Sequence, residues 1–418
     1  MNVLIVGRGG REHAICKAMA KAPSVERIFC APGNAGISSC AERVKIDEND
    51  QDSLVKFAKE NKVDLTVVGP EQPLAEGIVD RFLAEGLSIF GPTKEASQIE
   101  GSKSFAKDLM QKYHVPTAAY ETFQDAAMAK SYLQKHGVPI VIKADGLAAG
   151  KGVVVAMTME EAEKAIDDML IEERFGASSN QIVVEEFLEG EEFSFMALVH
   201  EDVIIPLELA QDHKRAFDGD SGPNTGGMGA YSPVDHLPEG IEETSFDTIL
   251  KPVVHAMIKE GRPFTGVLYA GLILTEAGPK VIEFNARFGD PETQVVLPRL
   301  KTDLAAVLSK LIKHEKTELE WEKQSMVGVV LAAEGYPGEY KKQISLNQFK
   351  EEQEWLFHAG TEWSDENLYS TGGRVLLAAR FGDSILQAQE KVYSFLENHN
   401  TQKLFYRRDI GHQAAKKR

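Results

Sequence analysis

The first hundred residues repeat one pattern. Short apolar runs at residues 3–6, 25–31, 64–69 and 87–91 read as strands. Between them, apolar positions fall at helical spacing, at Ala14, Ile15, Ala18, Met19 and Ala22 and again across residues 74–84. Strands that alternate with helices predict a parallel sheet whose ligands sit at its carboxyl edge. Residues 105–112 read as a helix in a link. A smaller unit follows, with a helix ending at Gly137, strands over 140–142, 153–157 and 181–185, and Thr158 and Glu161 spaced as a capping box before another helix. Strands over 193–199, 268–275 and 281–288 come next, the last two joined as a hairpin by Glu276-Ala277-Gly278-Pro279. Residues 297–312 read as one amphipathic helix. The closing portion has strands at 327–333, 355–359 and 373–380 and a helix over 384–397, a small α+β unit.

The alternation from Val281 to Phe288 has chemical content. It places Val281, Glu283, Asn285 and Arg287 on one strand face and Ile282, Phe284, Ala286 and Phe288 on the other. A carboxylate, an amide oxygen and a guanidinium then emerge side by side. Hard cations such as Mg²⁺ take oxygen ligands shared with substrate phosphates, and an Arg fork matches phosphate oxygens. A solvated edge strand would show the same alternation, so partners elsewhere in the chain must decide.

Several glycine-rich stretches supply those partners. Gly7-Arg8-Gly9-Gly10 lies between the first strand and helix, where free backbone N–H groups receive anions. Glu12 stands where a dinucleotide fingerprint has its third glycine, and the second strand ends without a ribose-binding acid, so a phosphate or sugar phosphate fits better than a nicotinamide cofactor. Gly69-Pro70-Glu71 follows a strand at the same edge, where Glu71 either caps a helix or touches substrate. The stretch DGLAAGKG, from Asp145 to Gly152, departs from a phosphate-binding P-loop and lies between two strands. Its glycines and Lys151 read as a flap closing over phosphates. The acidic run at 186–192 reads as a hinge against a flat ring, with a carboxylate for ribose hydroxyls. DHKRAFDGDSGPNTGGMGAYSP, beginning at Asp212, is long and polar enough to be an ordered substrate loop. Thr371-Gly372-Gly373-Arg374 is a ligand contact or, more cheaply, a hairpin turn.

Composition narrows the partners. The chain has 418 residues, 43% of them hydrophobic and 26% charged, which suits a soluble globular protein of several domains. A net charge of -18 without a basic stripe argues against nucleic acid, so an anionic ligand must be met by a few placed cations. Cys16, Cys30 and Cys40 have neither disulfide-framework nor zinc spacing and read as buried thiols of a reducing compartment. No apolar run reaches membrane-spanning length and the start reads as a strand without a signal sequence, so a cytoplasmic protein is expected.

Taken in order, VLIVGRGGREHA, GPEQPLAEG, KADGLAAGKGV, VEEFLEGEEFSF, HKRAFDGDSGPNTGGMGAYSP, EFNARFGDPETQ and FYRRDIG resemble the ATP-grasp carboxylate–amine ligases, and within them the glycinamide ribonucleotide synthetase family. They span almost the whole chain. The resemblance implies an N-terminal α/β substrate domain over 1–101 and an ATP-grasp central domain over 102–122 and 193–326. It also implies a lid with the glycine loop over 123–192 and a C-terminal α+β domain over 327–418. The implied reaction joins glycine to 5-phosphoribosylamine at the expense of ATP, giving glycinamide ribonucleotide, ADP and phosphate through a glycyl phosphate, a step of purine biosynthesis.

Roles follow where residues match. Lys103, Lys143 and Lys151, with Gly150 and Gly152, would meet the ATP phosphates; Glu185, Glu186, Phe187 and Leu188 would form the adenine hinge, and Glu192 the ribose acceptor. Glu283 and Asn285 would ligate Mg²⁺ or Mn²⁺, and Arg287, with Lys151, would act on the transferring phosphate. Gly9, Gly10 and Glu71 would receive phosphoribosylamine, with Asp212 and the loop of Asn224, Thr225, Gly226 and Gly227 near glycine. One departure stands out: the strand over 268–275 contains no acid, where many ATP-grasp enzymes carry a further metal ligand. Small-molecule substrates, no nucleic acid, no membrane, and a monomer or weak dimer complete the expectation. Another ATP-grasp ligase of a purine intermediate and a non-catalytic nucleotide-binding module remain the alternatives.

Overall fold

The opening run forms the strand Asn2–Gly7 at the centre of a five-stranded parallel sheet. Its order is Glu42–Arg43, Arg27–Pro32, Asn2–Gly7, Leu65–Val68, Ile89–Phe90. Val3, Leu4, Ile5 and Val6 are all fully buried because helices cover both faces, which is why this run does not alternate. The chain leaves Asn2–Gly7 to one side first and to the other later. The carboxyl ends of Asn2–Gly7 and Leu65–Val68 therefore frame a crevice at the switch of strand order. The helix Gly10–Lys21 starts at that crevice. The helix expected over 74–84 is two, Glu71–Glu76 and Ile78–Ala84, broken at Gly77 with φ of +91°. The computed structural model describes residues 1–147, 152–172, 174, 176, 180–351 and 354–416.

A second sheet, antiparallel and four-stranded, runs Tyr120–Phe123, Ile182–Glu186, Ile140–Ala144, Val153–Ala156. The helices Ala126–His136 and Met159–Leu170 bury Leu133, Ala162 and Ile166 against Ile140, Ile142 and Val184. Thr158 and Glu161 form the expected capping box, each accepting from the other's backbone N–H at 3.2 Å. Strands Ile140–Ala144 and Val153–Ala156 are an antiparallel hairpin, so the glycine loop does join two strands.

The central sheet runs Val203–Pro206, Glu191–His200, Thr265–Thr275, Gly278–Asn285, antiparallel throughout. Here the strict alternation expected over 281–288 fails. Gly271 pairs with Glu283 and Leu272 with Val281, leaving Ile282 as the extra residue of a β-bulge. Val281 therefore sits in the core with Phe284 and Ala286, not beside Glu283, and Ile282 joins Glu283 in being half-buried. Beyond the hairpin, residues 297–312 are not one helix. A turn at Leu297–Arg299 containing Pro298 ends the first piece, and Asp303 restarts the chain as the N-cap of Leu304–Leu311 by accepting from Ala306 N at 2.9 Å.

The last sheet takes Gln211–Asp212 and Gly229–Ser232 from the polar segment and continues through Ser325–Ala333, Arg374–Gly382 and Leu356–His358. The polar loop is thus stitched along the C-terminal strands, and the helix Ile385–Glu397 packs on the sheet, capped by Ser384. Cys16 and Cys30 are buried as expected, whereas Cys40 is only half-buried. Among the described residues no helix is long and apolar enough to cross a membrane.

Candidate active site

The bulge at Ile282 is where the second sheet meets the central sheet. Lys143, from the strand Ile140–Ala144, donates at 2.9 Å to the Ile282 carbonyl, and its ammonium lies 3.0 Å from Glu185 Oε1. The other Glu185 oxygen is 2.9 Å from Lys107, whose ammonium burial holds down to about 8. Glu185 thus turns its carboxylate inward onto two lysines. Beyond it Glu186 is exposed and accepts from Ala119 N at 3.3 Å, while Phe187 and Leu188 are half-buried in the link to the next strand. Lys103 opens the helix Lys103–Lys112 and donates at 2.8 Å to the Gly146 carbonyl at the root of the glycine loop. Burial lowers the Lys103 ammonium, and Glu283 opposes that shift. Gly152 closes the root, its carbonyl accepting from Ala144 N at 2.8 Å. Gly150 and Lys151 lie outside the described residues.

Glu283 faces a ring of cations. Burial raises its carboxyl, and Lys214, Lys143, Lys103 and Arg287 together outweigh that and hold it below the usual value. Among the described residues no hydrogen bond reaches its carboxylate, and its ion-pair contact, Lys214, is 3.9 Å away. Asn285 Oδ1, two residues on, accepts a long 3.2 Å bond from Arg287. A carboxylate without a hydrogen-bond donor beside a weakly engaged amide oxygen suits a hard divalent cation. Glu192 enters from Glu191–His200, one strand removed across Thr265–Thr275, lies 3.3 Å from the same Lys214 and is exposed.

Arg287 binds this strand to the N-terminal sheet. Its Nη2 lies 3.2 Å from Glu100 and its buried Nε 3.5 Å from Glu71, an ion-pair contact that is not a hydrogen bond. These acids raise the guanidinium against its burial. Just beyond, Arg11 donates at 3.1 Å to the Phe288 carbonyl, and Asp290 is 3.1 Å from Arg374. Gly9 and Gly10 pack into this corner. A Cβ on Gly10 would come within 2.7 Å of Gln294 Nε2, so the helix start packs closely against the segment that follows Gly278–Asn285.

The polar loop closes the other side. Asp212 is half-buried on an edge strand; burial, then Glu292, Glu192 and Glu283, push its carboxyl up to about 7 despite Lys214. Asn224 pairs with Arg215 in a two-stranded ribbon, and Thr225 donates at 2.8 Å to the Lys214 carbonyl. The Gly226 carbonyl accepts from Arg374 at 2.7 Å, and its N–H donates to Tyr336 at 3.1 Å. Gly227, at φ of +110°, passes so close to the next turn that a Cβ would lie 2.4 Å from Pro291. Among the described residues, contacts link Lys143 to Ile282 and Glu185, Lys103 to Gly146, Lys214 to Glu192 and Glu283, and Arg287 to Glu71. Lys107 and Glu100 were not singled out; Lys214, Asp290 and Glu292 stood inside noted motifs without a role, and Arg374 was read as a ligand contact or, more cheaply, part of a hairpin turn. A lone charge in a loop gives no signal until its partner is known.

A hairpin-bearing sheet packed on a second antiparallel sheet, with buried lysines beside an oxygen-bearing strand, is the arrangement of an ATP-grasp ligase, a class that works with ATP and a divalent metal. The comparisons carry this further. Models of the N domain, the ATP-grasp (A) domain and the C domain of phosphoribosylglycinamide synthetase match residues 1–100, 101–293 and 326–413. A phosphoribosylamine–glycine ligase of Halalkalibacterium halodurans is 56% identical over 420 residues, covering 100% of this chain and 98% of its own. One from Listeria innocua is 52% identical over 420 residues, covering 99% and 100%. The crystal structure of the Thermotoga maritima phosphoribosylamine–glycine ligase superposes with a TM-score of 0.85 at 33% identity, covering 98% of this chain and 100% of that one. The chain belongs to the phosphoribosylglycinamide synthetase family. Its activity is the ATP-dependent, ADP-forming ligation of glycine to phosphoribosylamine in purine biosynthesis.

Proposed function

We propose that the ligation runs through a glycyl phosphate formed in this cleft, and the observation that carries the proposal is the 2.9 Å bond from Lys143 of the lid sheet to the bulged Ile282 of the metal strand. That contact puts phosphate-facing lysines next to Glu283. A glycine carboxylate oxygen attacks the γ-phosphorus while the bond to ADP breaks, so two anions must approach each other. Lys103, Lys143, Lys151 and Arg287 offset the repulsion and the charge growing on the transferring oxygens. Mg²⁺ or Mn²⁺, held by Glu283 and Asn285, would supply Lewis-acid stabilisation of the same phosphate. The hinge from Glu185 to Leu188 presents backbone groups to adenine, and Glu192 accepts from ribose.

Asp212 pairs with the glycine ammonium, which offsets the burial that raises its carboxyl, while Asn224, Thr225, Gly226 and Gly227 wall the pocket. Gly9, Gly10 and Glu71 hold phosphoribosylamine across the cleft. Its amine attacks the acyl carbon, phosphate leaves and the amine proton is lost. Water would hydrolyse the acyl phosphate, so Gly150, Lys151 and Gly152 close as a flap during both steps. The enzyme works in the cytoplasm as a monomer or weak dimer.

Oxygen transfer tests the intermediate. With glycine labelled by ¹⁸O in its carboxylate, ATP and freshly generated phosphoribosylamine, one label per turnover appears in inorganic phosphate. Unlabelled phosphate alongside product would remove the glycyl phosphate. ADP formation that proceeds equally well with other amines or carboxylates would point to a different acceptor.

A further inference from the structure

We propose that His200, Glu201 and His314 form a second cation site, selective for a borderline transition metal such as Zn²⁺ and separate from the ligation cleft. The hairpin between Glu191–His200 and Val203–Pro206 turns at Glu201-Asp202. His314 follows the helix Leu304–Leu311 and meets that turn. One ligand atom from each of His200, Glu201 and His314 lies within 4.8 Å of the others. Ligands about 2.0–2.1 Å from a tetrahedral zinc stand roughly 3.3 Å apart, so the side chains need close by only about 1.5 Å. His314 and Glu201 have the freedom to do so, with side chains 51% and 50% exposed.

The donors are arranged as ligands, not merely clustered. His200 Nδ1 lies 2.9 Å from Thr265 Oγ1, which fixes the ring, and in the tautomer whose Nδ1–H donates to that hydroxyl Nε2 is the ligating atom. A hydrogen bond at the other ring nitrogen is how metal-bound histidines are oriented. His314 Nε2 is 3.9 Å from Glu201, and Asp202 is 4.0 Å from Nδ1, a carboxylate in reserve. The two rings stand 4.5 Å apart at 60°. Two imidazoles with a carboxylate select Zn²⁺, Ni²⁺, Co²⁺ or Cu²⁺, whereas Mg²⁺ prefers oxygens.

The site is far from the chemistry. His200 and Glu192 end the same strand, roughly 26 Å apart at 3.3 Å per residue. A metal there would tie the outer hairpin of the central sheet to the end of Leu304–Leu311, just before the chain crosses to the C-terminal sheet. Its effect is on stability, not turnover.

The test uses the full chain, stripped of metal, with Mg²⁺ and ADP saturating the ligation cleft. One equivalent of Co²⁺ should bind and show the visible bands of a low-coordinate site, Zn²⁺ should displace it, and Tm should rise by a few degrees. His314→Ala and His200→Asn should each weaken Zn²⁺ binding at least tenfold without changing turnover, and Glu283→Gln should leave it intact. His314 is exposed, so its variant tests the site without threatening the fold. No binding at micromolar Zn²⁺, or equal binding by His314→Ala, would overturn the proposal, the latter showing adventitious surface metal.

Discussion

Lys143 and Lys107 share a single carboxylate: their ammonium groups lie 3.0 Å and 2.9 Å from the two oxygens of Glu185, and all three side chains are at most 4% exposed. Glu185→Gln leaves two buried cations without a counter-charge, a change that costs about 3–5 kcal/mol at pH 7. The sign of its pH dependence is fixed. Lys107 is held at about 8 in the fold, below its value in the unfolded chain, so the folded state binds fewer protons and gains stability as pH rises above about 8. The variant removes the charge that opposes this shift, lowers Lys107 further and should recover part of its loss by pH 9.5. Denaturant unfolding of both proteins at pH 7 and 9.5 measures it; an equal loss at both values would remove the shared-charge account.

Arg287 is held by Glu100 at 3.2 Å and, through its Nε, by Glu71 at 3.5 Å, and that buried Nε makes no hydrogen bond. Such a group is pre-aimed at charge that appears only during transfer. Arg287→Ala and Lys151→Ala should each lower kcat by about 10²–10³-fold, near 2.7–4 kcal/mol of transition-state stabilisation, with nucleotide affinity far less changed. Arg287→Lys should rescue little, because a point charge does not reproduce the planar fork. Equal losses in ATP affinity with unchanged turnover would move these residues out of the chemical step.

Much of this site could be read before folding. Lys143 stood at the end of an apolar run, the glycine loop between two strands, and Glu283 with Asn285 at strand spacing; all three depend on local pattern. The bulge at Ile282 did not show, because it is a mismatch between two strands and neither strand reveals it alone. The roles of Lys214 and Arg374 were hidden for a related reason. Lys214 acquires meaning from Glu192 and Glu283, and Arg374 from Asp290 and Gly226, on other elements. The broken helix after Leu297 was legible in principle, since Pro298 and the Asp303 cap both interrupt its apolar stripe.

Glu283 offers oxygens that accept no hydrogen bond among the described residues, and Lys214 stands at 3.9 Å. Glu283→Gln keeps the shape and removes the charge. The Mg²⁺ concentration for half-maximal activity should rise about 10–100-fold, with kcat partly restored at high Mg²⁺. The variant also leaves Lys214, Lys143, Lys103 and Arg287 less balanced, so ATP itself should bind no more weakly without metal than in the parent. A titration of activity against Mg²⁺ and Mn²⁺ decides it; an unchanged metal requirement would take Glu283 out of the ligand set.

Asp212 is the group whose ionisation should be visible in the kinetics. Burial and three acidic neighbours lift its carboxyl to about 7, so below that value the free enzyme carries it protonated. If it receives the glycine ammonium, kcat/KM for glycine should fall as pH drops below about 7, while the value for ATP stays nearly level. Asp212→Asn should raise the glycine KM at pH 8 by about tenfold or more and flatten that limb, since a charge-assisted pair is lost. Stability moves the opposite way. A carboxyl raised in the fold favours the folded state below its unfolded value near 4, and that contribution is lost as pH rises through about 7. The ligand-free Asn variant should therefore melt above the parent at pH 8, with the gap closing toward pH 5. A variant less stable at pH 8 and unchanged in its glycine profile would mean that Asp212 is an ordinary edge-strand carboxylate, ionised throughout and remote from the amino acid.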